Sequence, residues 1–530
     1  MCQQIGFLAQ VFAIFAKHHI SINLISTAEC HLTVSLDGPA QPRSKLEVLL
    51  NELNQIAKAK LIEPCSAISL IGHHIRRILP ELGPIFELFN DLQVHLISLS
   101  SNDLSLNIVV DESKAERIIQ QLHQLLIDNH PQSYVYSKSW QEEFNPSPEP
   151  DKTWWQQERD ALLHFAAKHA PCYVYYPPVI YQQIAKLHAL KSIDKCLYAV
   201  KANPNRQLLA LMHDAGLSFE CVSIGEIKRL FELYPELDPK RILFTPNFAH
   251  KTEYEYALEK GIYLTIDSLY PLQHWSELFK GREIFLRIDL GIGAGHRKYV
   301  STSGDESKFG ITPHELDEVI AAIKQHQIKV IGLHAHSGSG ILSGQLWVET
   351  ANLLASFAKN FSELAIINLG GGLGIAERPG QVALILEEID EQLKVIKTHF
   401  KHPIQFWLEP GRYLVAEAGI ILAHATQEKM KNKVRFVGID IGMNSLIRPA
   451  LYGSYHHISN LTKLHDPHKS FAHVVGPICE SADTLGYDRM LPKTDENDVF
   501  IIANTGAYGY CMSSHYNLRE PAPEYMFQRL

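Results

Sequence analysis

The chain is poor in the features that mark membrane, nucleic-acid-binding or disulfide-stapled proteins. Its 530 residues include only eight cysteines, at positions 2, 30, 65, 172, 196, 221, 479 and 511. They form no CxxC pair, which argues against a disulfide scaffold and leaves most of them as reduced, packed thiols. No apolar run approaches the roughly 18 residues of a membrane span, and the N-terminus lacks the charged-then-apolar pattern of a secretory signal. Positive charge is short as well: 49 Lys and Arg stand against 58 Asp and Glu, a formal net charge of −9. With no local basic run, that balance repels a polyanion, so no nucleic-acid partner is expected and the chain reads as cytoplasmic. What is present is ordinary globular material, 46% hydrophobic and 20% charged. At roughly 150 residues per domain the length suggests about three structural units, or fewer if one is a large barrel.

Residues 1 to about 140 contain an internal echo. FLAQVFAIFAKHHISINLISTAECHLTVSLD (7–37) is matched by PIFELFNDLQVHLISLSSNDLSLNIVVD (84–111). Each copy reads as an amphipathic helix, then two short alternating strands, then a second helix: a duplicated α+β unit. Residues 141–155, with three prolines in EEFNPSPEPDKTWW, read as a linker. From about 178 eight short apolar runs alternate with seven helix-length segments: CLYAV, FECVS, ILFTP, YLTID, IFLRIDL, VIGLHAH, IINLG and FWLEP. That pattern predicts an α/β fold, a (β/α)8 TIM-like barrel over 178–414, with an open doubly wound sheet as the structural alternative. Residues 156–177 and 415–530, with RFVGID, FAHVVGP and DVFIIAN, read as a β-rich domain that CYVYYP (172–177) could join.

Polar and glycine residues follow the ends of the eight runs: Lys201, Ser223, Asn247, Asp267, Asp289, His336, Gly370 to Gly372, and Glu409 with Arg412. In a barrel those ends converge on one mouth, where active sites sit. Lys201, emerging from YAVKANPN, is either an amine reaching solvent or a partly desolvated nucleophile that forms a Schiff base. Gly370, Gly371 and Gly372 leave backbone amides free for an anion, and Glu409 and Arg412 of EPGR add a carboxylate and a guanidinium after the last strand. A Schiff-base lysine, a phosphate cradle and a carboxylate are what pyridoxal 5′-phosphate asks of a protein, the carboxylate keeping the ring nitrogen protonated. His334 and His336 lie at i and i+2 on one strand face. A metal pair is conceivable, but no third ligand sits at a recognisable spacing and no metal is expected. A ring stacked on the cofactor suits His336 better, with Ser339 helping to hold phosphate.

YAVKANPN, ECVSIGE, HAHSGSG, NLGGGLGI, EPGR, DIGMNSLIRPALYGSYH, GPICESAD and NTGAYGYCMSSHYN together carry a resemblance. Residues from about 155 to 530 resemble the fold-type III pyridoxal phosphate decarboxylases, and among them the diaminopimelate decarboxylases. The resemblance implies decarboxylation of meso-2,6-diaminopimelate to L-lysine and carbon dioxide, the last step of lysine biosynthesis. It assigns Lys201 to the Schiff base and Glu409 to the pyridine nitrogen. Gly370, Gly371, Gly372, Pro410, Gly411 and Arg412 fall to the cofactor, and Tyr508 to both cofactor and substrate. Arg412, Arg448, Tyr452 and Glu480 are assigned to substrate. Cys479 becomes the proton donor, on a loop that reaches into a neighbouring subunit, so a homodimer with shared sites is expected. A thiol is mostly protonated at neutral pH and can supply the proton that replaces the lost carboxylate; the bland alternative is a structural cysteine. Relatives on this scaffold act on ornithine, arginine and carboxynorspermidine, but Arg448 and Glu480 offer the cation and anion that a distal amine-plus-carboxylate end requires. Two departures stand out, Glu220 where an aspartate is usual and His250 where a lysine is common. They put secondary contacts in doubt but leave the catalytic set untouched.

The first 140 residues resemble the paired ACT domains at the C-terminal end of aspartate kinase, on the strength of GFLAQVFAIFAKHHISINLISTAECHLTVSLD. The resemblance implies an amino-acid effector site, lysine in the lysine-sensitive kinases, with simple dimerisation as the alternative. It also implies that Met1 falls after the first ACT strand and that the chain corresponds to the C-terminal part of a bifunctional aspartate kinase/diaminopimelate decarboxylase, with no kinase activity. A racemase on the same barrel, a non-catalytic cofactor carrier and a regulatory amino-acid sensor are the remaining alternatives.

Overall fold

The computed structural model describes residues 6–28, 31–36, 43–71, 94–99, 105–123, 153–291, 294–295, 307–378, 381, 383–432, 434–466 and 470–528. The chain divides into two compact units between residues 150 and 151.

In the first unit, helix Phe7–Lys17 starts after Gly6 and buries Phe7, Val11 and Phe15, a spacing of four that lines one helical face. Strands β1 (Ile22–Ala28) and β2 (His31–Leu36) pair antiparallel, and helix Arg43–Leu53 follows. Strands β3 (Cys65–Ile71), β4 (Val94–Leu99) and β5 (Ser105–Asp111) form an antiparallel sheet in the order β3-β5-β4, ahead of helix Glu112–His123. β4 starts 72 positions after β1 (22 to 94) and β5 starts 74 after β2 (31 to 105), close to the 74 that separate the ends of the two echoing segments at 37 and 111. The helix expected from residue 84 lies outside the described residues. β3 was not anticipated: Ser-rich CSAISLI alternates weakly, yet it pairs with β5 along its whole length.

The second unit holds a closed parallel barrel of β7 (Lys195–Ala199), β8 (Ser218–Cys221), β9 (Ile242–Phe244), β10 (Tyr263–Ile266), β11 (Glu283–Arg287), β13 (Lys329–His334), β15 (Ile366–Asn368) and β16 (Gln405–Leu408). Each of the eight apolar runs supplies one strand, and closure of β16 onto β7 removes the open-sheet alternative. Two short pairing segments, β12 (Ala294–Gly295) and β14 (Gly338–Ser339), lie outside the barrel. Inside, Leu197, Leu243, Phe285, Ile366 and Trp407 fill one layer, with the Phe285 and Trp407 rings 5.5 Å apart. Gly332 on β13 is what admits the Phe285 ring, because a Cβ there would lie 2.2 Å from it.

A second sheet runs β19 (Ile458–Asn460), β22 (Val499–Ile502), β17 (Gly419–Lys431), β18 (Val434–Ile439), β20 (Ser470–Val475), β21 (Thr484–Leu491). β6 (Cys172–Tyr175) joins it antiparallel to β17, and β23 (Glu524–Met526) covers β6. The runs RFVGID, FAHVVGP and DVFIIAN supply β18, β20 and β22, while β17 was missed because its second half is exposed and charged. The linker prediction needs correction at its end. Trp154 and Trp155 are not linker but the start of a helix (Trp154–Gln157). Trp155 is buried in the β-rich core and the Trp154 indole donates to the Glu417 carbonyl at 2.9 Å, because two large aromatics bury more area than a loop can leave exposed. Among the described residues no helix is long and apolar enough to cross a membrane.

Gly332→Ala should overpack the barrel by about 1–3 kcal/mol, and Phe285→Ala should cost about 3–5 kcal/mol through a cavity. The double variant should be less destabilised than the sum of the two, measured as the shift in denaturant midpoint of the second unit; strict additivity would show that the two positions do not compete for space.

Candidate active site

The C-terminal halves of the barrel strands carry the buried side chains Glu220, Arg287, His334 and Asn368, whereas Lys195, Glu283, Lys329 and Gln405 stand at the opposite ends. β7 runs into a single 3-10 turn, Val200–Ala202, that lifts Lys201 over the mouth. The turn is held by the Tyr198 hydroxyl on the Asn203 carbonyl (2.9 Å) and the Asn203 side-chain amide on the Gly506 carbonyl (3.0 Å). The Tyr508 amide donates to Ala202 O at 2.8 Å, so the segment after β22 closes over the barrel. A pocket of about 330 Å³ results, lined by Ala199, Lys201, His336, Ser339, Gly371, Gly372, Glu409, Gly411, Arg412 and Tyr508.

Lys201 and Glu409 are two of the three charged groups that line this pocket, with Arg412, and each has partners. Lys201 Nζ donates to Glu220 Oε2 at 2.8 Å and Oε1 at 3.1 Å. Burial pulls the ammonium down, but Glu220, with Tyr508 and Glu409, outweighs it and the group is raised. The Lys201 side chain is nevertheless 38% accessible, since it faces the open pocket, whereas Glu220 is 1% accessible beneath it. Glu409 accepts from the Asn368 amide at 2.7 Å, and its other oxygen lies 3.2 Å from His334 Nε2. Burial pushes its carboxyl up, but His334 and Lys201 more than offset this and hold it at about 2, so it stays ionised. Burial, with Arg287 and Lys201 nearby, pulls His336 down to about 3. Its imidazole is therefore neutral, and Nδ1 accepts from the Gly371 amide at 3.1 Å. On the far side Asp267 faces Arg287 at 3.8 Å and accepts from Asn247 at 2.7 Å.

Beside this cluster is an anion cradle. A Cβ on Gly371 would lie 2.4 Å from the Glu409 carbonyl, and one on Gly372 (φ +91) 2.4 Å from Gly338 O, so only glycine lets these backbones approach. Arg412 reaches Ser339 Oγ (3.3 Å) and Glu377 (3.5 Å), but its buried Nε has no hydrogen-bond partner. Arg448, 6% exposed, bonds Ser454 Oγ at 3.2 Å and likewise leaves Nε unpaired. Burial and the neighbouring Arg412 pull the Arg448 guanidinium down to about 10. Tyr508, at φ 56, sits between them, 5.2 Å from Arg412 and 5.9 Å from Arg448, a strained backbone of the kind that clusters at ligand sites. Two cations with buried, orphaned Nε–H groups beside a glycine cradle fit anionic ligands, and an amine opposite an ionised carboxylate fits an aldehyde-bearing pyridine. The residues present therefore fit pyridoxal phosphate: Lys201 for the aldehyde, Glu409 for the ring nitrogen, and Gly371, Gly372, Ser339 and Arg412 for the phosphate.

Most of the residues expected from sequence meet here. Gly370 and Pro410 lie behind the lining, their carbonyls accepting from Glu409 N (2.8 Å) and Ala199 N (3.2 Å). Others do not line the pocket. Ser223 caps helix Ile224–Leu233, and His250 caps helix Lys251–Glu259. Tyr452 ends helix Arg448–Tyr452 outside the lining. Cys479 and Glu480 are exposed and absent from the lining, on a loop that Asp483 anchors by accepting from Met443 N (2.6 Å) and Ile478 N (2.7 Å). The secondary contact that Glu220 put in doubt is one made directly to Lys201, from whose ammonium its carboxylate accepts. Sequence reasoning also missed the His334 and Asn368 contacts to Glu409. The available signal was a charged or amide residue inside a strand buried on both faces.

Replacing Glu220 by Gln removes the carboxylate that raises Lys201, so the neutral amine should appear at lower pH. The pH profile of Lys201 modification by a small aldehyde with borohydride, read on its peptide by mass spectrometry, should move to lower pH than in the parent. A profile that does not move would show that Glu220 does not control this amine.

Residues 179–416 match the family model described as pyridoxal-dependent decarboxylase, pyridoxal binding domain. The chain is 33% identical over 387 residues to diaminopimelate decarboxylase of Escherichia coli K12, covering 69% of this chain and 91% of that protein. It is 37% identical over 340 residues to diaminopimelate decarboxylase of Methanothermobacter thermautotrophicus, covering 62% and 78%. The crystal structure of diaminopimelate decarboxylase from Helicobacter pylori complexed with L-lysine superposes with a TM-score of 0.64 at 30% identity, over 69% of this chain and 94% of that one. The chain belongs to the diaminopimelate decarboxylase family of pyridoxal-phosphate-dependent lyases.

Proposed function

We propose that the chain decarboxylates meso-2,6-diaminopimelate to L-lysine and carbon dioxide. The observation that carries this reading is Arg448, a buried guanidinium with an unpaired Nε across Tyr508 from Arg412. Two cations around one aromatic ring give one anion site to the cofactor phosphate and leave another for a substrate carboxylate. Pyridoxal phosphate, when bound, supplies the aldehyde that links to amines and the ring that takes up the electrons left by the departing carboxyl group. Lys201 supplies the amine, and Glu220 keeps it protonated until it is needed. Glu409, ionised and fixed by Asn368 and His334, holds a proton at the ring nitrogen. His336, neutral and pinned by the Gly371 amide, covers the pocket wall without adding charge. Cys479 and Glu480 lie outside this pocket, and we assign them to the site of a second copy: Cys479 as proton donor, Glu480 as the anion for the distal amine. The active form is then a homodimer with shared sites, and Tyr452 contributes to substrate beside Arg448.

The repeat in the first unit supports a second reading. The β4-β5-helix order, with β3 beside β5, is compatible with ACT domains like those of aspartate kinase. Such a pair would bind L-lysine, the product of the second unit, as effector.

The purified chain supplied with pyridoxal phosphate should release carbon dioxide from meso-diaminopimelate. A substrate without the distal carboxylate leaves Arg448 buried and unpaired, a cost of about 3–5 kcal/mol, so ornithine and lysine should turn over roughly a hundred- to several-thousandfold more slowly. Comparable turnover of ornithine would overturn the assignment. Mixing inactive Lys201→Ala with inactive Cys479→Ala should restore activity that neither has alone, because the mixed dimer contains one complete site; no recovery after subunit exchange would exclude sharing.

A further inference from the structure

Three side chains of metal-binding type meet at one end of the β3-β5-β4 sheet in the first unit. Cys65, His95 and Asp111 each place one ligand atom within 4.8 Å of the others. Cys65 opens β3 and Asp111 ends β5, and the two are Cα partners across the antiparallel ladder, so their side chains share a sheet face. His95 comes from the other neighbour of β5. The ladder shifts register between Val94 and Leu96, which makes His95 the extra residue of a bulge, a device that re-aims a side chain. Its Nε2 lies 2.8 Å from Asp111 Oδ1, and the imidazole is only 6% accessible. The Cys65 thiol otherwise makes a long contact to the Ile62 carbonyl, 3.5 Å.

We propose that Cys65, His95 and Asp111 form a three-ligand site for a divalent cation of the zinc class. The donor set decides the class: a thiolate, an imidazole and a carboxylate suit zinc, whereas calcium and magnesium take oxygen ligands. Zinc bonds of about 2.0–2.3 Å in tetrahedral geometry place ligand atoms roughly 3.3–3.8 Å apart. The His95–Asp111 separation therefore opens slightly and the thiol closes in, within the reach of side-chain rotation. On coordination the Cys65 proton leaves to solvent, and the fourth position falls to water or an incoming anion, no fourth protein ligand being present among the described residues. Each ligand comes from a different strand, so the ion would tie together β3, β5 and β4. The site belongs to the unit that does not hold the pyridoxal pocket, and its failure would leave the decarboxylase reading intact.

The test uses the full chain with pyridoxal phosphate bound, stripped by a chelator and titrated with Co²⁺ and then Zn²⁺. Co²⁺ should give a thiolate-to-cobalt charge-transfer band that Zn²⁺ displaces. In Cys65→Ser the band should vanish, and Zn²⁺ affinity should fall by more than the ~10–100-fold that loss of an outer partner costs. Decarboxylation should be unchanged. Should the variant misfold, the unsubstituted chain still decides: Zn²⁺ should slow alkylation of Cys65, read on its peptide by mass spectrometry, and Asp111→Asn should weaken that protection. Absence of the band, its persistence in Cys65→Ser, or alkylation of Cys65 indifferent to Zn²⁺ would each show that His95 and Asp111 are only a hydrogen-bonded pair beside a bystander thiol.

Discussion

The second unit is organised around the cost of holding an ammonium and a carboxylate in the mouth of a closed barrel. An ion taken from water costs several kcal/mol unless partners replace its hydration. Lys201 meets that cost with Glu220, and Glu409 meets it with Asn368 and His334. At neighbouring strand ends Asp267 faces Arg287 and accepts from Asn247, so this buried carboxylate is partnered too. Because each partner comes from a different strand end, the cluster also fixes the register of the barrel mouth. Burial keeps His336 neutral, whereas His334 and Lys201 keep Glu409 ionised against the same burial, two states that a pyridine-based cofactor requires of its neighbours.

The β-rich region completes the pocket rather than merely adjoining it. Gly506 is packed so closely on the Val415 carbonyl that a Cβ would lie 1.8 Å from it. That approach lets the Tyr508 amide reach Ala202 and brings its ring between Arg412 and Arg448. The same region carries the Cys479 loop, anchored through Asp483 and directed outward. One chain thus assembles the pocket around Lys201 and Glu409, while the Cys479 thiol is exposed on its surface. The proposal of shared sites in a dimer rests on this division.

The order of apolar runs in the sequence was enough to define the barrel, since parallel strands buried on both faces must be continuous apolar stretches and each run became one strand. Lys201, the glycine triplet and EPGR were readable for a related reason: residues just past a strand end have one place to go. The repeat in the first unit was readable from its spacing, as β4 and β5 follow β1 and β2 at the expected interval. Strands β3, β17 and β21 were not, because their burial depends on partners far away in the chain rather than on local alternation.

Only the tertiary structure decided which charges face each other. Glu220 read as a conservative departure until folding placed it under Lys201, and the partner of His334 became visible only when its ring met Glu409. Cys65, His95 and Asp111, unremarkable at their separate positions, converge through strand pairing and one bulge. Local sequence sets strand and helix through nearest-neighbour sterics and hydrophobic period. Electrostatic partnership depends on distances of a few ångströms between residues remote in sequence, and those distances exist only once the sheets have closed.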